Sequence, residues 1–477
     1  MTKPTWRWPV LAVFMLAACT TPPAPRDAGF AAGALYTFVV LSAEGAPMAR
    51  AITSAATCPT IELDGVARAM TVRALPGTMS LRPTVSPPSA SKPSAFPVLT
   101  CEAAIPAGVA RAAVDGRMLP LPRATPRAIV VLGDSGCRMA DAGPMFQDCN
   151  DPVQWPFATI ASTAAASAPD LVIHVGDYHY RENACPPANA GCAGSPWGYG
   201  WDVWEADFFA PAAKLLAAAP WIVVRGNHES CARAGQGWWR FLDPRPLAAR
   251  QDCNDATDDA IGDFSEPYAV PLAPGSDTQF IVFDSSRVGV TPLRPGNVMY
   301  ENYRVQFERA FALASRRPDT FFMDHHPVLA FAPNPSTPAS PYPGNAGLQS
   351  VLQALEPLTL FPSSINALIS GHVHLFQVVG FSTPHPPQFV SGIGGDWVDT
   401  RLPLPLPANL APAPGAIVSS IAATNRFGFM TMQRAAARWT MTARDLTGAV
   451  MATCTLVGRR TDCTPTGWLG GDSRSGY

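Results

Sequence analysis

Ala128-Ile-Val-Val-Leu-Gly-Asp-Ser-Gly136 is an apolar run that stops on a glycine and a carboxylate, and its reading decides the fold. A short, unbroken apolar run suits a strand buried on both faces. Four more such runs follow, each leading into polar residues. Leu171–Val175 precedes Gly176-Asp-Tyr-His-Tyr180, and Trp221–Val224 precedes Gly226-Asn-His-Glu229. Thr320–Met323 precedes His325-His-Pro327, and Ile365–Ile369 precedes Gly371-His-Val-His374. Between the runs, Phe157 to Ala168, Glu205 to Ala219 and Tyr303 to Arg316 are rich in helix formers and predict helices. Strand and helix in alternation, with polar residues past each strand's carboxyl end, is how α/β folds gather a ligand. The five motifs are expected to meet at one rim.

A lone Gly-Asp after a strand is an ordinary turn signal, so the weight lies in the set. The chain has eight histidines, at 174, 179, 228, 325, 326, 372, 374 and 385, and five of them fall inside the last three motifs. With Asp134, Asp177, Tyr180 and Asn227 they supply the carboxylate, phenol, amide and imidazole donors that hard cations take. Two ions about 3.5–4 Å apart need one bridging ligand, and a carboxylate with two oxygens provides it. Asp177 is the natural bridge. His174, inside an apolar strand, reads as a hydrogen-bonded core residue and His385 as a loop residue. Glu229 reads as a brace for its own loop, and Asp396 closes the stretch Phe389–Asp396 outside the ligand set.

Composition narrows the class. At 477 residues, 47% of them hydrophobic, the chain holds a substantial core, and 51 prolines point to stiff loops. Charged residues are 15% and the net charge is -2, so nothing favours a nucleic-acid partner. Residues 1–18 read as a signal peptide, basic at first and then apolar over too short a length to span a bilayer. Leu16-Ala-Ala-Cys19 resembles a bacterial lipobox, which implies a lipid on Cys19, a tether over 19–29 and a place at the outer membrane or in the periplasm. The lipid is the only membrane contact this reading requires. Ten further cysteines imply disulfides in an exported chain, and pairing of sequential neighbours is the simplest arrangement. Residues 30–125 read as a small β domain without visible chemistry. From Arg426 to Cys463 alternating strands are expected to close a second sheet.

The five blocks together resemble the metallophosphoesterase superfamily, and Tyr180, three residues beyond Asp177, resembles the purple acid phosphatases within it. The resemblance spans roughly 128 to 396 inside a catalytic domain of 126–477. It implies a four-layer α/β sandwich, two mixed sheets flanked by helices, and hydrolysis of phosphate monoesters by a metal-bound hydroxide. It places Asp134, Tyr180 and His374 on an Fe(III) site, Asp177 as the bridge, and Asn227, His325 and His372 on a second, divalent site of Zn, Fe or Mn. It makes His228 the residue that contacts phosphate and assists the leaving group, with His326 and His179 as possible substrate contacts on a small phosphoester. Two divalent ions in a phosphodiesterase or nucleotidase, or a non-catalytic surface lipoprotein on the same fold, are the rival readings. No histidine stands between His326 and His372, so contacts to the rest of the substrate are unassigned; the aromatics Trp197, Tyr199 and Trp201 of the 181–204 insertion are candidates to wall the pocket.

Overall fold

The computed structural model describes residues 1–2, 34–141 and 145–471. The signal segment beyond residue 2, Cys19 and the tether lie outside the described residues. Two sheets dominate. The first has eleven strands, in spatial order Arg460–Thr464, Val450–Val457, Arg438–Asp445, Gly428–Ala435, Ala128–Leu132, Leu171–His174, Trp221–Val223, Ala34–Leu41, Pro47–Thr53, Leu99–Ala104 and Thr71–Ala74. The second has eight: Tyr268–Pro271, Thr278–Val282, Asp319–Met323, Ile365–Ser370, Gln388–Ser391, Phe376–Phe381, Val418–Thr424 and Gly467–Trp468. Both are mixed, as expected. Ala128–Leu132, Leu171–His174 and Trp221–Val223 run parallel in one, and Asp319–Met323 and Ile365–Ser370 in the other.

The period-two geometry of the second sheet shows why the layers form. Phe280, Val282, Phe321, Met323 and Ile369 point into a core shared with the first sheet. Their neighbours Ile281, Phe283, Phe322 and Leu368 point the other way, onto the helices Val298–Ala314 and Ala346–Leu355. Strands with consecutive apolar residues therefore feed two cores at once. On the outer face of the first sheet, helix Phe157–Ala166 buries Phe157, Ile160, Ala161 and Ala164, a 3–4 residue spacing along one stripe. The order helix, sheet, sheet, helix is the expected sandwich.

Two flanking regions attach differently from the simplest reading. The C-terminal strands Gly428–Ala435 and Arg438–Asp445 do not close a second sheet: they extend the first, with Gly428–Ala435 antiparallel to Ala128–Leu132. Only Val418–Thr424 and Gly467–Trp468 go to the other sheet. The N-terminal region is all β, and Ala34–Leu41 joins the first sheet beside Trp221–Val223 through Val40 and Trp221. Four of its strands lengthen that sheet, while Arg117–Met118, Ala112–Val114, Thr60–Leu63 and Val66–Ala69 form a small one of their own. Alternation in sequence reports a half-buried strand but not which edge it pairs with. Among the described residues the five disulfides link sequential neighbours: 58 with 101, 137 with 149, 185 with 192, 231 with 253 and 454 with 463. No helix among the described residues is long and apolar enough to cross a membrane.

Candidate active site

The five motifs converge at the carboxyl ends of the parallel strands. Asp134, Asp177 and His372 each stand just past a strand end with φ of 57°, 58° and 66°. Side chains rarely adopt this left-handed conformation, and it persists where surrounding bonds fix it. Asp134 N–H donates to Gly176 O (3.0 Å) and Ser135 N–H to Asp177 O (2.9 Å), tying the first two motifs together. His372 N–H donates to both Asp134 carboxylate oxygens at 3.1 Å. The motif glycines follow from the same crowding. A Cβ on Gly226 would stand 2.1 Å from Asp177 Oδ1, and one on Gly371 2.4 Å from Asp134 Oδ2. The carboxylates occupy the space a side chain would need.

Two groups of donor atoms share one oxygen. Tyr180 hydroxyl lies 2.8 Å from Asp177 Oδ2, 3.2 Å from Asp134 Oδ1 and 3.1 Å from His374 Nε2. His325 Nε2 lies 3.1 Å from the same Asp177 Oδ2 and 3.1 Å from Asn227 Oδ1, which is 2.9 Å from His372 Nδ1. Ligand atoms of Asp177, His325 and His372 fall within 4.8 Å of one another.

The chemistry of these atoms shows that they fit cations. His325 Nδ1 is 2.8 Å from Val175 O and His374 Nδ1 is 2.6 Å from Trp397 O, and a carbonyl only accepts. Each Nδ1 therefore carries the hydrogen and each Nε2 turns a lone pair toward oxygens that also carry lone pairs. Such an array needs a positive charge at its centre. Burial works against a charged ring, yet Asp177 carries His325 up to about 10, and Asp396 with Asp134 carries His374 up to about 9. Tyr180 goes the other way: burial, then the carboxylates of Asp177 and Asp134, push its phenol well above the ordinary value. Only a strong Lewis acid would ionise it there.

Around the donors stand two buried imidazoles. The His228 ring packs 4.0 Å from the Tyr180 ring, and its backbone N–H donates to Asp177 Oδ1 at 2.9 Å. Its Nδ1 is 3.0 Å from Glu182 Oε1, which is itself 3.3 Å from Arg233 Nη1. Burial and the Arg233 guanidinium draw His228 down to about 4, against the pull of Asp177 and Glu182. The His326 ring lies 4.1 Å from His372, with Nδ1 3.1 Å from Ser285 Oγ, and burial followed by His325 lowers it to about 3.

His179 is not brought in. Its ring is buried against Tyr199 and Trp204, with Nε2 2.8 Å from Gly198 O, so it braces the insertion. The insertion aromatics serve packing too: Trp201 is buried against Tyr36, Phe209 and Phe241, and Trp197 carries Lys92 over its ring at 4.7 Å. His174 is a core residue stacked on Tyr178 at 3.8 Å, with Nε2 3.0 Å from Ser135 Oγ. Glu229 braces the rim by accepting from Asp177 N–H, Tyr178 N–H and Gly226 N–H.

Four supporting groups escaped the sequence reading. Asp207 accepts from the backbone N–H of Cys137, Tyr180 and Arg181, fixing the loop that carries Tyr180. Arg138 lies 4.7 Å over the Tyr180 ring, held by Asp396 at 3.0 and 3.1 Å. Glu182 and Arg233 flank His228. Of these only Arg138 and Glu182 carried any signal, as charged neighbours of motifs; their partners lie far away in sequence.

A pair of metal-binding pockets sharing one carboxylate, at the strand ends of a two-sheet sandwich, defines a metal-dependent phosphoesterase. The chain belongs to the calcineurin-like phosphoesterase family, whose profile matches residues 127–376. The fold implies a dinuclear metal centre. Among solved structures it is similar to the purple acid phosphatase PPD1 from yellow lupin (Lupinus luteus) seeds, at 14% identity and a TM-score of 0.53, over 93% of this chain and 75% of that one. It is also similar to PhoD, at 11% identity and a TM-score of 0.52, over 92% of this chain and 93% of that one. At such identities the likeness is one of fold. No curated protein matches the chain.

Proposed function

We propose that this chain hydrolyses phosphate monoesters with Fe(III) held by Asp134, Asp177, Tyr180 and His374, and a divalent ion held by Asp177, Asn227, His325 and His372. The observation that carries the reading is the Tyr180 hydroxyl, buried within 3.2 Å of Asp177, Asp134 and His374 donor atoms. A phenol so placed suits a trivalent ion, whose stronger field ionises it more readily than a divalent ion does. When bound, the two ions supply Lewis acidity that activates water and offsets charge on the phosphoryl group.

The chain's own groups do the rest. Asp177 presents one oxygen to both groups of donors, and its other oxygen fixes the His228 backbone. His228 hands a proton to the departing oxygen, since a phosphoryl dianion arriving beside the ring favours its charged form. Glu182 holds the ring from its Nδ1 side. Arg233, fixed by the same carboxylate, adds positive charge on the flank where the phosphoryl oxygens gather.

The test is a matched pair of substrates on protein isolated with its metals. 4-Nitrophenyl phosphate is expected to be hydrolysed with a kcat/KM at least about tenfold above that for bis(4-nitrophenyl) phosphate. The reverse order would make the enzyme a diesterase.

Export is part of the proposal, supported by the five disulfides, which persist in oxidising compartments. Lipid on Cys19 would hold the protein at the outer membrane. Cys19→Ala is then expected to move it from the membrane fraction to the soluble fraction after cell breakage; an unchanged distribution would exclude the anchor.

A further inference from the structure

The ligands and the two flanking imidazoles leave the organic half of a substrate unplaced. A cavity of about 500 Å³ starts at His372 and His326 and is walled further out by Phe331, Ala332, Tyr342 and Val290. His372 belongs at once to the donor cluster, through Nδ1 at 2.9 Å from Asn227 Oδ1, and to the wall of this cavity. A phosphoryl group at the centre therefore has the cavity directly beside it. A larger one of about 940 Å³, between residues 404–421 and Thr466-Gly467, shares no residue with the donor set.

Two properties of the smaller cavity select its occupant. None of its lining residues is Asp, Glu, Lys or Arg. Its polar lining side chains are His326, His372, Asn345 and Tyr342, so a second charge on the substrate would leave water there without meeting a side chain of fixed opposite charge. The wall is also held rigidly from behind by three buried glutamines. Gln388 Oε1 accepts from Val328 N–H and Leu329 N–H at 3.2 Å, and Gln349 Nε2 donates to Val328 O at 2.7 Å. The Gln377 amide pairs with both backbone groups of Phe331 at 2.9 Å. Across the mouth, Ala332 and Tyr342 exchange backbone hydrogen bonds of 2.9 and 2.8 Å, which sets the Tyr342 ring at the rim. Its volume lies within the ~300–1,000 Å³ typical of preformed small-molecule sites.

We propose that this cavity receives the organic group of the phosphoester and selects uncharged aromatic groups over small or charged ones. The inference rests on the phosphoester reading above but is independent of which imidazole protonates the leaving oxygen. It also supplies the substrate contacts that the absence of histidines after His326 left open.

The experiment compares kcat/KM of the metal-loaded full chain on four esters of primary alcohols, so that leaving-group acidity stays nearly constant: 2-naphthylmethyl, benzyl, ethyl and 2-carboxyethyl phosphate. The naphthylmethyl ester is expected to exceed the ethyl ester at least about tenfold, and the carboxyethyl ester to fall below it. Two rim substitutions at exposed positions then move the ratios. Tyr342→Ala lowers the naphthylmethyl-to-ethyl ratio, and Val290→Arg raises the carboxyethyl-to-ethyl ratio. Equal rates on naphthylmethyl and ethyl phosphate, or ratios that neither substitution moves, would overturn the cavity's role while leaving the phosphatase intact. Hydrolysis of none of the four esters would overturn both readings.

Discussion

Asp177→Asn is expected to lower kcat/KM on any phosphoester by at least about three orders of magnitude, roughly 4 kcal/mol of transition-state stabilisation. The size of the effect follows from position. One oxygen of this carboxylate faces Tyr180 at 2.8 Å and His325 at 3.1 Å, so it serves both halves of the centre. Asparagine keeps the shape and an acceptor for the His228 N–H but removes the negative charge that two adjacent cations require. The variant should fold, as judged by an unchanged circular dichroism spectrum, and retain fewer metal ions per chain than the parent. A variant that keeps its full metal content and acts within tenfold of the parent would show that Asp177 is not the bridge.

His228→Ala is expected to cost about 10²–10⁴ in kcat on alkyl phosphates and far less on 4-nitrophenyl phosphate. A poor leaving group needs a proton as it departs, whereas nitrophenolate leaves unaided. The second buried imidazole makes the comparison informative. His326 sits against His372 and Ser285, at the inner end of the apolar cavity. Should His326→Ala show the leaving-group dependence and His228→Ala a uniform loss, the proton donor is His326, and His228 only binds phosphate.

The centre was legible in sequence because every donor lies within a few residues of an apolar strand end. Strand, glycine and polar residue together report both the buried sheet and the rim. The roles of His325, two residues before Pro327, and of Asn227, directly after Gly226, came from the resemblance to the family's His-x-Pro and Gly-Asn-His blocks. What holds the donors was not legible. Arg138 and Asp396 are 258 residues apart, and only the folded sheets bring them together over Tyr180. Glu182 reads as one charge in a loop until Arg233 and His228 close on it.

The expectation for Trp201 failed for a related reason: an aromatic near a motif reads the same whether it lines a cavity or fills a core. Here Tyr36 from the N-terminal strand claims it for the core. That strand also explains the length of the first sheet. Ala34–Leu41 finds a free edge at Trp221–Val223, and no local pattern announces which edge a strand will take.

The most direct measurement is elemental analysis with a visible absorption spectrum, on the parent protein and on Tyr180→Phe, both isolated from the export route. The account predicts iron and a divalent metal in equal amounts in the parent, with a phenolate-to-iron band in the visible that Tyr180→Phe removes. A colourless parent holding two divalent ions and no iron, with Tyr180→Phe unchanged in metal content and activity, would contradict it.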